Sequence, residues 1–82
     1  MYFVYILLCQ GGSFYTGMST NPEQRLIEHK AGKGGAYTRS HRPVKIIYVE
    51  QQVDKPSALK REFQIKTWSR QKKITTLNLM GK

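Results

Sequence analysis

The sequence has very little cysteine: Cys9 is the only one among 82 residues. One cysteine cannot form a disulfide within the chain, so the fold does not depend on an oxidising compartment, and we expect a cytoplasmic location. One cysteine and two histidines also fall short of a classical four-ligand zinc site. Because Cys9 ends an apolar run, we predict that it is a small buried hydrophobic residue.

Long apolar runs are absent as well. The apolar stretch over residues 1–8 is too short to cross a membrane, and no basic segment precedes it as in a signal peptide. It leads directly into Gln10, Gly11 and Gly12, which is typical of a buried strand followed by a turn. We therefore predict a soluble protein with no membrane partner.

Acidic residues are scarce: five Asp and Glu stand against 14 Lys and Arg, for a formal net charge of +9. This excess predicts a polyanionic partner, with nucleic acid favoured over an acidic membrane surface or protein. The alternative is a basic domain, such as a ribosome-associated protein, whose charge serves only general adhesion. The length allows a single domain over residues 1–82 and excludes a multi-lobed enzyme with a deep cofactor cleft.

The chain contains a series of short elements separated by glycine and proline. Gly11 and Gly12 predict a hairpin turn, Asn21 before Pro22 is typical of a helix start, and Asp54 can cap a later helix. The predicted elements are strands over 4–9 and 13–17, a helix from 22 to 30 or 31, a strand over 44–50, and helices over 57–69 and 70–79. The predicted fold class is α/β (α+β), a three-stranded antiparallel sheet flanked by helices in the order β-β-α-β-α-α.

Two of these helices carry polar residues at informative spacings. Arg25 and His29 lie four residues apart and share one face of the first helix. Glu62 follows Ala58 by four residues on the apolar side of a later helix, where a carboxylate is costly to bury unless it is paired or holds a metal. The alternative is an ordinary helix ion pair with Lys66.

Taken in order, these residues resemble the GIY-YIG nuclease superfamily. Phe3-Val4-Tyr5 and Tyr15-Thr16-Gly17 are similar to the two tripeptides that name it, although Phe3 replaces the glycine and Thr16 the isoleucine. Met18 stands where some members carry a lysine near the phosphate. The resemblance covers nearly the whole chain and is strongest to the small stand-alone bacterial proteins of this superfamily.

The resemblance implies a metal-dependent endonuclease that hydrolyses DNA phosphodiester bonds, with a role in DNA repair or processing. Glu62 would hold one divalent cation, Mg²⁺ or Mn²⁺, and Arg25 would neutralise charge on the phosphoryl oxygens. Tyr5 and Tyr15 would position the attacking water and help to deprotonate it. His29 would be the base or would relay a proton from a tyrosine, and the sequence leaves both roles open.

A shared site for Tyr5 and Tyr15 has a geometric requirement. The two side chains face the same side of an antiparallel pair only if the numbers of opposed residues add to an even number. A two-residue turn at Gly11 and Gly12 gives an odd number. We therefore predict an odd-length loop or a β-bulge in this hairpin.

The basic loop over residues 33–43 is the predicted substrate arm. The expected nucleic-acid contacts are a close backbone approach at Gly17, base stacking on Tyr37, and phosphate contacts from Lys33, Arg39 and Arg42. The cations of the last two helices form either a wider basic surface or a solvated face: Lys60, Arg61, Lys66, Arg70, Lys72 and Lys73.

The expected partner of this loop is DNA, with RNA left open and a protein partner possible, and sequence specificity should be weak. The alternative function is a non-catalytic nucleic-acid-binding module that kept the nuclease fold.

Overall fold

The structure, a computed structural model, describes residues 1–79, which form one sheet and a set of helices packed on it. The elements are β1 (Tyr2–Cys9), β2 (Phe14–Ser19), α1 (Pro22–Lys30), α2 (Ala36–Ser40), β3 (Pro43–Gln52), α3 (Lys55–Lys66) and α4 (Arg70–Leu77). The sheet order is β2-β1-β3, and both pairings are antiparallel. The predicted fold class and order are confirmed, with α2 as an addition. No helix within residues 1–79 has the length and apolar sequence needed to cross a membrane.

Strand β1 lies at the centre of the sheet and is buried on both faces, which explains its continuous apolar sequence. On one face Val4 and Ile6 pack with Ala58 and Ile65 of α3. On the other face Tyr5 and its alternate neighbours pack against α1. Because successive side chains of a strand point to opposite faces, alternate residues of β1 belong to two different cores, one on each face of the sheet. Cys9 is buried at 2% exposure, as predicted.

The predicted helix starts are confirmed in their capping contacts. The Asn21 side chain accepts a hydrogen bond from the backbone N–H of Gln24, and Asp54 accepts one from Ser57. Each cap supplies an acceptor for a backbone donor that has no partner inside its helix. These caps set the entry points of α1 and α3, the two helices that carry Arg25 and Glu62.

Helix α2 corrects the prediction of an irregular loop over residues 33–43. The backbone N–H of Arg39 donates to the carbonyl of Gly35, and that of His41 donates to Tyr37. The helix has only five residues, of which Thr38 is buried, so its sequence carries too few apolar positions for a helical period to be visible.

Helix α4 is held against the hairpin turn by Arg70. The guanidinium Nη2 of Arg70 donates a hydrogen bond to the carbonyl oxygen of Gly12, at a distance of 2.9 Å. The Cζ atom of the same group lies 4.7 Å from the centroid of the Phe14 ring. The two bonded residues are 58 positions apart in the chain. This contact places α4 alongside β2, at the open edge of the sheet.

The hairpin register confirms the predicted odd-length turn. Tyr5 lies opposite Gly17 and Leu7 lies opposite Tyr15, so the numbers of opposed residues add to an even number. A three-residue 3-10 turn (Gln10–Gly12) makes the connection, with Gly11 and Gly12 both at positive φ. The side chains of Tyr5 and Tyr15 therefore lie on the same face of the sheet.

Gly17 lies between these two tyrosines. A Cβ atom at this position would stand 2.7 Å from the Tyr5 hydroxyl oxygen and 3.1 Å from Cε2 of Tyr15. Since Tyr5 is only 1% exposed, its ring has no free space into which to move. The glycine therefore allows the Tyr5 side chain to lie across the neighbouring strand.

We expect Gly17→Ala to lower the free energy of unfolding by about 2–3 kcal/mol, because the added methyl overpacks a buried site. Urea unfolding followed by circular dichroism measures this change. Gly11→Asn is the matched control, since position 11 has nothing within 4 Å and asparagine tolerates positive φ. Equal effects of the two substitutions would contradict the packing role of Gly17.

Candidate active site

The electrostatic surroundings of the Tyr5 hydroxyl involve three other predicted catalytic residues. Burial raises the pKa of this phenol, the neighbouring Arg25 guanidinium opposes the shift, and the charges of Tyr15 and Glu62 add to it. The four groups come from β1, β2, α1 and α3. The fold thus brings distant parts of the sequence close enough to influence one titratable group.

The His29 side chain is almost completely enclosed, at 1% exposure. Its Nε2 lies 3.2 Å from the Tyr5 hydroxyl, and its Nδ1 lies 2.8 Å from the hydroxyl of Thr38. The Thr38 hydroxyl in turn donates to the carbonyl oxygen of Gly35, over 3.4 Å. We assign the proton of that hydroxyl to this carbonyl, so that the hydroxyl accepts from Nδ1–H of His29 and Nε2 accepts from Tyr5.

The environment of His29 favours the neutral imidazole. Burial lowers its pKa, the Arg25 charge lowers it further, and Glu28 opposes both effects. A neutral imidazole with Nδ1 protonated has a free lone pair on Nε2, directed at the Tyr5 hydroxyl. The arrangement can therefore take a proton from Tyr5.

The glycine-rich segment after α1 encloses this histidine. A Cβ atom at Gly34 would stand 1.8 Å from Nδ1 of His29, so only glycine allows the backbone to lie against the ring. The sequence analysis assigned this segment to substrate contact. The structure gives Gly34 a second role, which is to hold the imidazole in place.

Arg25 and Glu28 form an ion pair on α1, and each side chain is 34% exposed. Glu28 raises the pKa of the guanidinium, which stays charged. Arg25 thus holds a fixed positive charge next to the buried Tyr5 and His29.

Glu62 has a side chain that is 16% exposed, and its Oε2 lies 3.0 Å from Nζ of Lys66. The helix ion pair that the sequence allowed is therefore present. Residues 1–79 contain no group of three or more His, Cys, Asp or Glu side chains placed to hold a metal ion. A single carboxylate paired with a half-exposed lysine nevertheless fits Mg²⁺, which uses one or two carboxylates together with water and substrate phosphate. The role of Glu62 as a metal ligand stays a prediction.

A row of aromatic rings leads from the buried histidine to the surface. The ring centroid of Tyr15 lies 4.9 Å from that of His29 and 6.0 Å from that of Tyr37. His41 stacks on Tyr37 at 4.2 Å with an angle of 8° between the planes. One face of Tyr37 is therefore covered, and the exposed His41 is the outermost ring of the row.

Two cavities flank the site. One of about 420 Å³ is lined by His29 and by the cations Lys30, Arg39 and Arg42. The other, of about 240 Å³, is lined by Tyr15 and Tyr37 together with Lys66 and Lys73. Of the predicted substrate arm, Arg39 and Arg42 thus lie together, Tyr37 belongs to the other cavity, and the exposed Lys33 lines neither.

Sequence reasoning missed two residues of this site, Thr38 and His41. Thr38 sets the tautomer of His29, and His41 covers Tyr37. The four-residue spacing of Tyr37 and His41 was the available signal, but it has meaning only on a helix, and the segment was predicted to be a loop.

Comparison with known proteins agrees with this geometry. The GIY-YIG catalytic domain family matches residues 1–75. A UPF0213 protein of Staphylococcus saprophyticus is 46% identical over 77 residues, 94% of each chain. One from Staphylococcus haemolyticus is 48% identical over 73 residues, 89% of each chain.

Solved structures give the same result. The solution NMR structure of a UPF0213 protein from Bacillus halodurans has a TM-score of 0.61 and 38% identity, covering 99% of this chain and 87% of its own. A second NMR structure, from E. faecalis, has a TM-score of 0.64 and 39% identity, covering 94% of this chain and 82% of its own. The family match extends over every predicted catalytic residue, and the chain belongs to the GIY-YIG catalytic domain family.

Proposed function

We propose that this protein is a divalent-metal-dependent endonuclease that hydrolyses phosphodiester bonds of DNA with weak sequence specificity, in DNA repair or processing. The hydrogen-bonded chain Tyr5–His29–Thr38 is the observation that carries this proposal. It supplies a neutral base in a site that also holds a fixed guanidinium and a carboxylate. The phenol bonded to His29 is that of Tyr5, which belongs to one of the two tripeptides that name the family. A purely structural histidine would not require this particular partner.

The attacking water is positioned by Tyr15, which is partly exposed, and by the Tyr5 hydroxyl behind it. The pKa of Tyr5 is raised, so a free phenolate is unfavourable at neutral pH. Tyr5 therefore transfers its proton to Nε2 of His29 as it accepts one from the water. Thr38 keeps the receiving nitrogen unprotonated before this step.

Arg25 stabilises the negative charge that develops on the phosphoryl oxygens, because its guanidinium is permanently charged and presents paired donors. Glu62 would hold one divalent cation, Mg²⁺ or Mn²⁺. When bound, this cation supplies Lewis-acid stabilisation of the leaving oxygen. The cation binds weakly without nucleic acid, since one carboxylate is a poor site alone.

The proposed contacts explain weak sequence specificity. Lys33, Arg39 and Arg42 contact phosphates, and Tyr37 with His41 stacks on a base. Phosphates and base faces carry little sequence information, in contrast to base edges. Gly17 permits the strand backbone to approach the substrate closely.

Glu62→Gln should lower the rate of plasmid nicking by roughly a hundredfold or more, because a metal ion contributes several kcal/mol to such reactions. Binding to uncut DNA should be retained. Glu23→Gln is the control, since Glu23 is an exposed carboxylate at the start of α1. Wild type that binds DNA but never cuts it with Mg²⁺ or Mn²⁺ would instead support the non-catalytic binding module.

The His29 ring should titrate below the usual value of 6.5, because burial and Arg25 disfavour its charged form. Proton NMR of the imidazole Cε1–H between pH 4 and 8 measures this directly, with His41→Gln used to assign the two ring signals. The nicking rate should fall as the pH drops through the same value, since the charged ring cannot accept a proton from Tyr5. A His29 signal that titrates above 6.5 would refute this role as base.

A further inference from the structure

We propose that the cavity between β2 and the last two helices binds a backbone phosphate of the nucleic acid, next to the scissile one, through the ammonium groups of Lys66 and Lys73. The inference deepens the proposed function and rests on it, because it names a second contact with the same substrate. Neither lysine belongs to the predicted catalytic set.

The lining of the cavity is mainly aromatic, and two lysines supply its positive charge. Its volume of about 240 Å³ exceeds that of a phosphate group, and it opens at the outer edge of β2. Lys66 comes from α3 and Lys73 from α4, so the two cations approach from different helices. The lining is completed by three aromatic residues and one threonine: Phe14, Tyr15, Tyr37 and Thr16. These six residues include no carboxylate.

The positive charges of Lys66 and Lys73 repel each other across the cavity that both residues line. Burial lowers the pKa of Lys73, and the charge of Lys66 lowers it further. Glu62 lies 3.0 Å from Lys66 and offsets only part of its charge. An anion between Lys66 and Lys73 removes this repulsion, which is the electrostatic argument for a bound phosphate.

Thr16 is the independent observation. This residue is 3% exposed, and its hydroxyl has no hydrogen-bond partner within the part of the chain that the structure describes. Buried hydroxyls in folded proteins are normally paired, so an unpaired one at a cavity indicates a missing partner. Rotation about its χ1 angle exchanges the positions of the hydroxyl and the methyl, and a phosphate oxygen is an acceptor for it.

Two contacts connect this cavity to the proposed active site. Tyr15 lines the cavity and also packs on His29. Lys66 lines the cavity and also contacts Glu62. An anion held here therefore lies beside both the water-positioning tyrosine and the proposed metal ligand. A nucleic-acid strand offers a second phosphate at such a position, whereas a free phosphate or an acidic peptide has no reason to be placed there.

The test measures DNA binding in EDTA, where no cleavage occurs, by fluorescence anisotropy at several salt concentrations. Lys66→Gln and Lys73→Gln should each weaken binding and reduce the slope of log K against log salt by about one. Lys60→Gln is the matched control, because Lys60 is an exposed lysine on α3 outside the cavity. Thermal unfolding of each variant confirms that it is folded. A cavity lysine that behaves like Lys60, or a control that loses as much as the cavity variants, overturns the proposal.

A second measurement locates the contact on the substrate. A set of duplexes is prepared, each with one neutral methylphosphonate in place of a phosphate, at successive positions. At one position the replacement should weaken binding of the wild-type protein but should not weaken binding of the Lys73→Gln variant any further. In Mg²⁺ or Mn²⁺ this position should adjoin the cut. If the protein cleaves DNA normally and no such position is found, the second phosphate site is refuted and the proposed nuclease function is retained. A coupled position without any cleavage supports the phosphate site and removes the nuclease function.

Discussion

The site depends on the hydrogen bonds of one buried imidazole. His29 has two ring nitrogens and almost no exposure, so each nitrogen needs a partner inside the protein. Tyr5 meets this requirement from the central strand, and Thr38 meets it from the short helix α2. Three separate elements are thereby held in one arrangement. The same hydrogen bonds that give the buried ring its partners also set its tautomer. Stability and the proposed proton transfer therefore require the same two partners of His29.

The position of the sheet elements explains why this arrangement is possible in so short a chain. Strand β1 is shared by two cores, and the core on the Tyr5 side encloses His29. The other face packs against α3, and Arg61 of this helix pairs with Glu50 of β3 there. The proposed active site thus lies on the Tyr5 side of the sheet, next to the edge strand β2.

Much of this architecture was predictable because it depends on local rules. Asn21 and Asp54 are capping residues in sequence and in structure, and the apolar run of β1 required a central strand. The pairing register of β1 and β2 followed from requiring that Tyr5 and Tyr15 share a face of the sheet. The three-residue turn that produces this register could not be identified in the sequence. Thr38 was missed because its partner is nine residues away, and a single buried hydroxyl leaves no periodic pattern.

Glu62 shows a different limit of sequence reasoning. Its spacing suggested either a metal ligand or an ion pair with Lys66, and the structure contains the pair. The two interpretations do not exclude each other, because a half-exposed lysine is an easily displaced partner. Spacing along a helix identifies which side chains are neighbours. It does not specify which neighbour a carboxylate keeps when a substrate arrives.

The contact of Arg70 with the hairpin turn has a consequence for how such proteins diverge. This one guanidinium sets the distance between α4 and β2, and it lies outside the hydrogen bonds of His29. Substitutions at the turn or at position 70 can therefore widen or narrow the cavity between β2 and the last two helices. The hydrogen bonds between Tyr5, His29 and Thr38 would stay in place. The shape of the cavity and the arrangement around His29 can therefore diverge independently.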